Sequence, residues 1–137
     1  MFKLIEMNEM ALILLPTELL MKFTKPFTNL EKIQLLQRSI LVNSFAYYML
    51  NDNILSDSQY DANATLLAEI KQECPEDFNK SRYHGYFEDY CSEDDDTVFT
   101  SGFDLLEKVR KDDYELYDRL HTDAALALYL KTEEFED

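Results

Sequence analysis

Two helix-capping sequences, each followed by apolar residues at helical spacing, constrain the fold of this chain more than any other feature. Thr28 followed by Glu31 forms the first, and Ser56 followed by Gln59 forms the second. In such a capping box the hydroxyl accepts a hydrogen bond from the third helical amide, and the Glu or Gln side chain accepts one from the cap amide. The sequence therefore predicts one helix from about residue 29 to residue 50 and a second helix that begins after Ser56.

Both predicted helices have an apolar face. In the first helix it consists of Leu30, Ile33, Leu36, Ile40, Leu41 and Phe45, and in the second of Tyr60, Ala64, Leu67 and Ile70. The second helix should end near Glu73, because Pro75 disfavours helical backbone at Cys74. Since residues 51–53 read Asn-Asp-Asn, a typical turn sequence, the two helices are predicted to form an antiparallel hairpin over residues 30–78.

The remaining sequence predicts a mainly α protein with one small domain over residues 1–137. Only two glycines and three prolines occur, and helix-favouring residues are common. Helical spacing returns over residues 103–132, where Asp112 and Asp113 either separate two helices or lie within one. Residues 133–137 are predicted to form an acidic tail.

Two segments lack a clear helical pattern. Residues 1–27 are apolar and contain Pro16 and Pro26, which suits one or two short helices against the core. From Glu76 onward the spacing is lost, and residues 79–102 are predicted as an irregular, acidic and aromatic loop that can include one short extended pair. The aromatic residues between Tyr83 and Phe103 either pack the C-terminal helices onto the hairpin or contact a partner; they are Tyr83, Tyr86, Phe87, Tyr90, Phe99 and Phe103.

The formal net charge of −15 is concentrated in the C-terminal two-thirds of the chain. Residues 44–137 contain eight basic and twenty-four acidic side chains, whereas residues 1–43 contain five and four. Nucleic-acid binding depends on neutralising phosphates with Lys and Arg, so this charge argues against direct contact with DNA or RNA. A basic protein surface would instead be attracted.

The sequence shows neither of the two features expected of a membrane or secreted protein, a long apolar helix and a cleavable signal. The apolar run from Met10 to Leu15 stops at Pro16, far short of the roughly 20 residues that a spanning helix needs, and no cleavable signal follows Met1. Cys74 and Cys91 are the only cysteines. We therefore expect a cytoplasmic protein with reduced thiols and no membrane contact.

The stretch SFAYYMLNDNILSDSQYD, residues 44–61, resembles the first helical hairpin of NAD-dependent DNA ligases. In that family Tyr-His ends one helix, and Ser/Pro-Asp-x-x-Tyr-Asp opens the next. The likeness covers roughly residues 30–78, where Cys74-Pro75-Glu76-Asp77 stands in place of a His-Pro-Glu-Leu-like exit.

The resemblance implies a site for the nicotinamide mononucleotide half of NAD. Tyr47, Asp57, Tyr60 and Asp61 match the family's residues, while Tyr48 stands where the family has His. Tyrosine rings can stack on the pyridine ring, and carboxylates can accept hydrogen bonds from carboxamide or ribose groups. A structural role is the alternative, because Asp57 also suits a helix N-terminus and Tyr60 could cap the hairpin core.

Catalysis is not expected. The ligase nucleophile lies in a Lys-x-Asp-Gly motif, and no Asp-Gly occurs in this chain. The spacing of Cys74, His84, Cys91 and His121 is not that of a zinc finger or ribbon, and an EF-hand counted from Asp94 lacks its sixth-position glycine. Neither glycine belongs to a phosphate loop.

An interaction role is the second hypothesis. Its candidate partner-binding residues are Glu88, Asp89, Glu93, Asp94, Asp95 and Asp96. Their carboxylates could dock onto a basic protein surface that normally holds nucleic acid, as DNA-mimicking inhibitors of nucleases and defence systems do. Small, strongly acidic proteins of phages and other mobile elements often have this character.

Overall fold

The computed structural model describes residues 28–88 and 102–135, and those residues form five α-helices and one 3-10 helix without a β-strand. The elements in chain order are α1 (Asn29–Met49), α2 (Asp57–Glu73), α3 (Pro75–Lys80), the 3-10 helix (His84–Phe87), α4 (Gly102–Asp112) and α5 (Tyr114–Phe135). The predicted mainly α fold is confirmed. No helix in the described ranges is both long and apolar enough to cross a bilayer.

The predicted hairpin is formed by α1 and α2, and both capping boxes are present. At the first, the amide of Glu31 donates to Thr28 Oγ1 at 3.2 Å, and the amide of Thr28 donates to Glu31 Oε1 at 3.0 Å. The helices run antiparallel, since the start of α1 contacts the end of α2 through Asn29 and Cys74. The predicted helix bounds are correct to within one residue.

The turn between α1 and α2 is fixed by backbone conformation and by one buried side chain. Asn51 takes a left-handed φ of 55°, which Asn tolerates better than most residues, and so ends α1. The amide of Leu55 donates to Asn43 Oδ1 at 3.3 Å. This bond ties the turn back to α1, and Ile54 and Leu55 are buried beneath it.

Helix α1 is the centre of the domain and packs against α2, α3, α4 and α5. Every residue from 39 to 46 is buried, as expected for a helix covered on all sides. Arg38 forms a salt bridge of 3.0 Å with Asp123 of α5. Because α1 runs antiparallel to α5, Phe45 then meets Tyr117 and His121 further along.

The prediction of a loop after α2 is wrong for part of that segment. Helix α3 extends to Lys80, and residues 84–87 are helical as well. Pro75 at the first helical position and acidic residues in the first turn both favour a helix start. Gln37 of α1 fastens the following turn by donating to Ser81 Oγ at 2.8 Å.

The described residues of this segment contain no extended pair, and residues 89–101 lie outside them. Phe87 is fully buried and Tyr83 nearly so, which agrees with core packing for these two rings. The amide of Arg82 donates to Gln34 Oε1 at 3.0 Å. The turn before the 3-10 helix is therefore held against α1, while the 3-10 helix itself packs against α3 and α4.

The C-terminal helices are separated at Asp113, whose Oδ1 accepts a hydrogen bond from the amide of Leu116 at 3.1 Å. This bond is typical of a helix N-cap. Helix α5 continues to Phe135, so the predicted end of the helices at residue 132 is too early. The first three residues of the predicted tail 133–137 are helical, and the predicted helices of residues 1–27 lie outside the described residues.

Candidate ligand-binding cleft

A cleft of about 290 Å³ lies where α1 ends and α2 begins. This volume is close to the lower limit of about 300 Å³ for small-molecule sites. All five predicted nucleotide-binding residues line it, namely Tyr47, Tyr48, Asp57, Tyr60 and Asp61. The other lining residues are Asn43, Ser44, Asn53, Ile54 and Leu55.

Helical periodicity explains why these residues meet. Tyr47 and Tyr48 lie three and four residues after Ser44 on α1, while Tyr60 and Asp61 lie three and four residues after Asp57 on α2. Residues at this spacing share one face of a helix. The hairpin then brings the two faces together beside the turn.

Tyr60 forms the inner wall of the cleft. Its hydroxyl is hydrogen-bonded to Ser44 Oγ at 2.9 Å, and its ring packs partly against the core. Burial raises the pKa of Tyr60 to about 12, although the bond to Ser44 opposes the shift. The phenol is therefore neutral near pH 7, and the bond fixes its position across the hairpin.

The outer wall is aromatic and open to solvent. The side chains of Tyr47 and Tyr48 are 51% and 45% exposed, and their ring centroids lie 4.8 Å apart in an edge-to-face arrangement. Phe103 of α4 meets Tyr48 in the same manner at 5.9 Å. Asp57 and Asp61 are also exposed, so rings and carboxylates are both accessible from the solvent.

The start of α4 packs against Ser44 and Tyr48 of this wall. A Cβ atom on Gly102 would lie 2.5 Å from Ser44 Oγ and 3.1 Å from Tyr48 Cε2, which is closer than any larger residue could tolerate without movement. Sequence analysis did not select Gly102, because nothing local to residue 102 indicates that it touches α1. Ser44 and Asn43 were also missed, although both lie three or four residues before Tyr47 on the same face.

The electrostatic character of the cleft is negative. Two carboxylates line it, and none of the ten described lining residues is Lys, Arg or His. Of the candidate partner-binding residues, Glu88 is exposed, and its backbone carbonyl accepts a hydrogen bond from Lys71 Nζ. Asp89 and the run from Glu93 to Asp96 lie outside the described residues.

Three of the four residues considered for a metal have other contacts, and the fourth, Cys91, lies outside the described residues. Cys74 Sγ accepts a hydrogen bond from Asn29 Nδ2 at 3.5 Å, and His84 Nδ1 lies 2.8 Å from the carbonyl of Ser81. The ring of His121 stacks on Phe45 at 5.3 Å. Within residues 28–88 and 102–135, no three His, Cys, Asp or Glu side chains converge on one point.

No protein family matches the sequence, and neither a curated protein nor a solved structure with significant similarity to it was found. What the cleft can bind therefore follows from the side chains that line it. Two exposed phenol rings can stack on a flat ring, and two exposed carboxylates can accept hydrogen bonds or face a cation. The lining residues include no thiol or imidazole.

Proposed function

We propose that the chain is a non-catalytic binding module whose cleft holds the nicotinamide ring of a nicotinamide nucleotide, NMN or NAD. The observation that supports this proposal is the convergence of Tyr47, Tyr48, Asp57, Tyr60 and Asp61 on one open cleft. Four of them match residues for which the likeness to the NAD-dependent DNA ligases implies nicotinamide binding, and Tyr48 stands at the position of the family's His. The α1–α2 hairpin is what brings these side chains together, and their proximity in the structure does not rest on the likeness to the ligases.

Each class of side chain in the cleft has a matching group on the ligand. The exposed rings of Tyr47 and Tyr48 offer apolar surface to a flat heterocycle. Asp57 and Asp61 can accept hydrogen bonds from the carboxamide N–H or the ribose hydroxyls. Tyr60 is held by Ser44 and keeps the two helices at a fixed separation, which lowers the entropic cost of ordering the site.

A binding role fits this chain better than a catalytic one. Adenylate transfer in the ligases needs the lysine of a Lys-x-Asp-Gly motif, and the sequence contains no Asp-Gly. The ten lining residues offer hydroxyls, amides and carboxylates. None of these hydroxyls is paired with a histidine among the lining residues, the arrangement that most often activates a serine.

The test is isothermal titration calorimetry of the full chain with NMN and NAD, comparing the natural protein with Tyr47→Ala. Tyr47 is half-exposed, so its truncation should leave the unfolding temperature nearly unchanged while removing one stacking surface. We expect Tyr47→Ala to weaken binding about five- to tenfold, from roughly 1 to 1.5 kcal/mol of lost aromatic contact. Tyr114→Ala, which removes an even more exposed ring from α5, is the matched control and should bind normally.

Two results would contradict the proposal. One is the absence of heat with either nucleotide at millimolar concentration. The other is equal affinity of the natural protein and of Tyr47→Ala for the nucleotide, because a ligand whose affinity does not change when this ring is removed does not occupy the cleft.

A second candidate function is docking onto a basic protein surface in the manner of a DNA mimic. Its support is the net charge of −15 and the excess of twenty-four acidic over eight basic side chains in residues 44–137. Such a complex should weaken steeply with salt and should compete with DNA. Titration of the chain into basic nucleases, with and without a DNA duplex, tests it; affinities that ignore both salt and DNA would refute it.

A further inference from the structure

The charges around the cleft bear on which part of a nicotinamide nucleotide it can accept. Asp57 and Asp61 place two negative charges at its rim, and no positively charged side chain is among its described lining residues. A phosphate carries one to two negative charges near neutral pH, and Lys, Arg or helix N-termini usually bind it. Among the residues that the structure describes, the cleft therefore has no positive side chain with which to bind a phosphate.

The first turn of the helix that begins at the cleft is partly satisfied by its own side chains. Ser56 Oγ already accepts a hydrogen bond from the amide of Gln59 at 3.2 Å, and Gln59 Oε1 accepts one from the amide of Ser56 at 3.0 Å. The carboxylate of Asp57 occupies the first turn, where it complements the positive end of the helix dipole. An incoming phosphate would meet this carboxylate first.

The three basic side chains on the two hairpin helices lie far from the cleft, and Lys32 is the most distant, fifteen residues before Tyr47 or about 22 Å along α1. Arg38 is paired with Asp123 and lies nine residues before Tyr47, about 13 Å along α1. Lys71 donates to the carbonyl of Phe87 at 3.0 Å and lies eleven residues after Tyr60, about 16 Å along α2. None of the three is placed to neutralise a phosphate at the turn.

What the cleft does offer is an environment for a flat cation. The rings of Tyr47 and Tyr48 are half-exposed and meet edge to face, so part of the aromatic surface of each residue is open to a ligand. A cation over the face of such a ring is attracted by the ring quadrupole, and two carboxylates beside it add a Coulombic attraction. The oxidised nicotinamide ring is a pyridinium and has this charge, whereas the reduced dihydropyridine ring is neutral.

We propose that the cleft selects N-substituted pyridinium cations that lack a phosphate, with nicotinamide riboside as the representative ligand, over NMN and over reduced forms. This inference rests on the proposed function and specifies its ligand class. The pyridinium stacks on one of the Tyr47 and Tyr48 rings, which are perpendicular to each other, meets the other ring at its edge, and faces Asp57 and Asp61. The 5′-phosphate of NMN lowers affinity because those carboxylates repel it.

Calorimetric titration of the full chain with nicotinamide riboside, NMN and reduced nicotinamide riboside tests the selection. At low salt we expect nicotinamide riboside to bind about five- to tenfold more tightly than NMN, and the difference to shrink as salt screens the phosphate repulsion. The reduced nucleoside should bind at least about fivefold more weakly than the oxidised one, because it has lost the cationic contact.

The double variant Asp57→Asn, Asp61→Asn provides the critical comparison. Both side chains are exposed, so the change should preserve the fold while weakening nicotinamide riboside and improving NMN. NMN binding as tight as that of the nucleoside, or no discrimination between the oxidised and reduced rings, would overturn the inference while leaving the proposed function intact. If none of the three ligands binds, both fail.

Discussion

The hydrogen bond between Ser44 and Tyr60 is the contact on which the shape of the cleft most depends, and its contribution to stability can be predicted. The two oxygens lie 2.9 Å apart and join α1 to α2. Ser44 is 1% exposed, and burial is the main cause of the raised pKa of Tyr60. The Ser44 hydroxyl therefore has little access to bulk water, and the Tyr60 side chain beside it is half-buried.

The expected energies follow from this burial. Ser44→Ala leaves the Tyr60 hydroxyl without its partner, and Tyr60→Phe does the same to Ser44, so each single change should lower the free energy of unfolding by about 1–3 kcal/mol. The double variant removes both polar groups with little change in volume. It should cost less than the sum of the two single changes, with a coupling of about 0.5–1.5 kcal/mol.

Urea unfolding followed by far-ultraviolet circular dichroism measures the four proteins of this double-mutant cycle. Tyr114→Phe is the matched control, because that tyrosine is 66% exposed and the change should be nearly neutral. Additive effects of Ser44→Ala and Tyr60→Phe, to within about 0.3 kcal/mol, would refute the conclusion that this bond joins the two helices.

Three further predictions concern the surroundings of the cleft. Gly102→Ala should destabilise the protein by about 1–3 kcal/mol in urea unfolding, because its Cβ would lie 2.5 Å from a buried oxygen, whereas Gly85→Ala, with open space around it, should not. Arg38→Ala should lower the free energy of unfolding by about 1–2 kcal/mol, because its partner Asp123 on α5 lies 3.0 Å away and is partly buried. Arg110→Ala breaks an exposed ion pair with Glu107 and should lower the free energy of unfolding by less. Tyr60 should ionise near pH 12 when absorbance at 295 nm is followed, and because its unfolded pKa is about 10, stability should fall between pH 10 and 12 more steeply than in Tyr60→Phe. A tyrosine absorbance step near pH 12 that persists in Tyr60→Phe, or equal losses in either matched pair, would contradict these assignments.

The hairpin could be predicted from the sequence because its determinants are local. A capping box fixes a helix start within four residues, and Pro75 indicates where α2 must end. Helix α3 was missed for a related reason: Pro75 was treated as a terminator of α2, although the same residue also favours the start of the next helix. Helical spacing alone did not decide between one and two C-terminal helices.

The candidate cleft could be predicted only in part. Tyr47, Tyr48, Asp57, Tyr60 and Asp61 were selected by the resemblance to the ligase hairpin, and the predicted hairpin placed both segments beside its turn. The close approach of Gly102 to Ser44 could not be foreseen, because it depends on how α4 packs across α1. The exposure of Tyr47 could not be foreseen either, because the spacing of residues along a helix does not show whether a tyrosine is exposed or buried.

The central claim is that a nicotinamide ring occupies the cleft at the α1–α2 turn. Amide chemical-shift mapping by NMR, with nicotinamide riboside added to the isotopically labelled full chain, tests it most directly. The amide chemical-shift changes should be largest at residues 43–61 and at the start of α4, and they should saturate as the ligand concentration rises. Saturable shifts confined to α5 or to residues 75–88, or no shifts at millimolar ligand, would contradict the account.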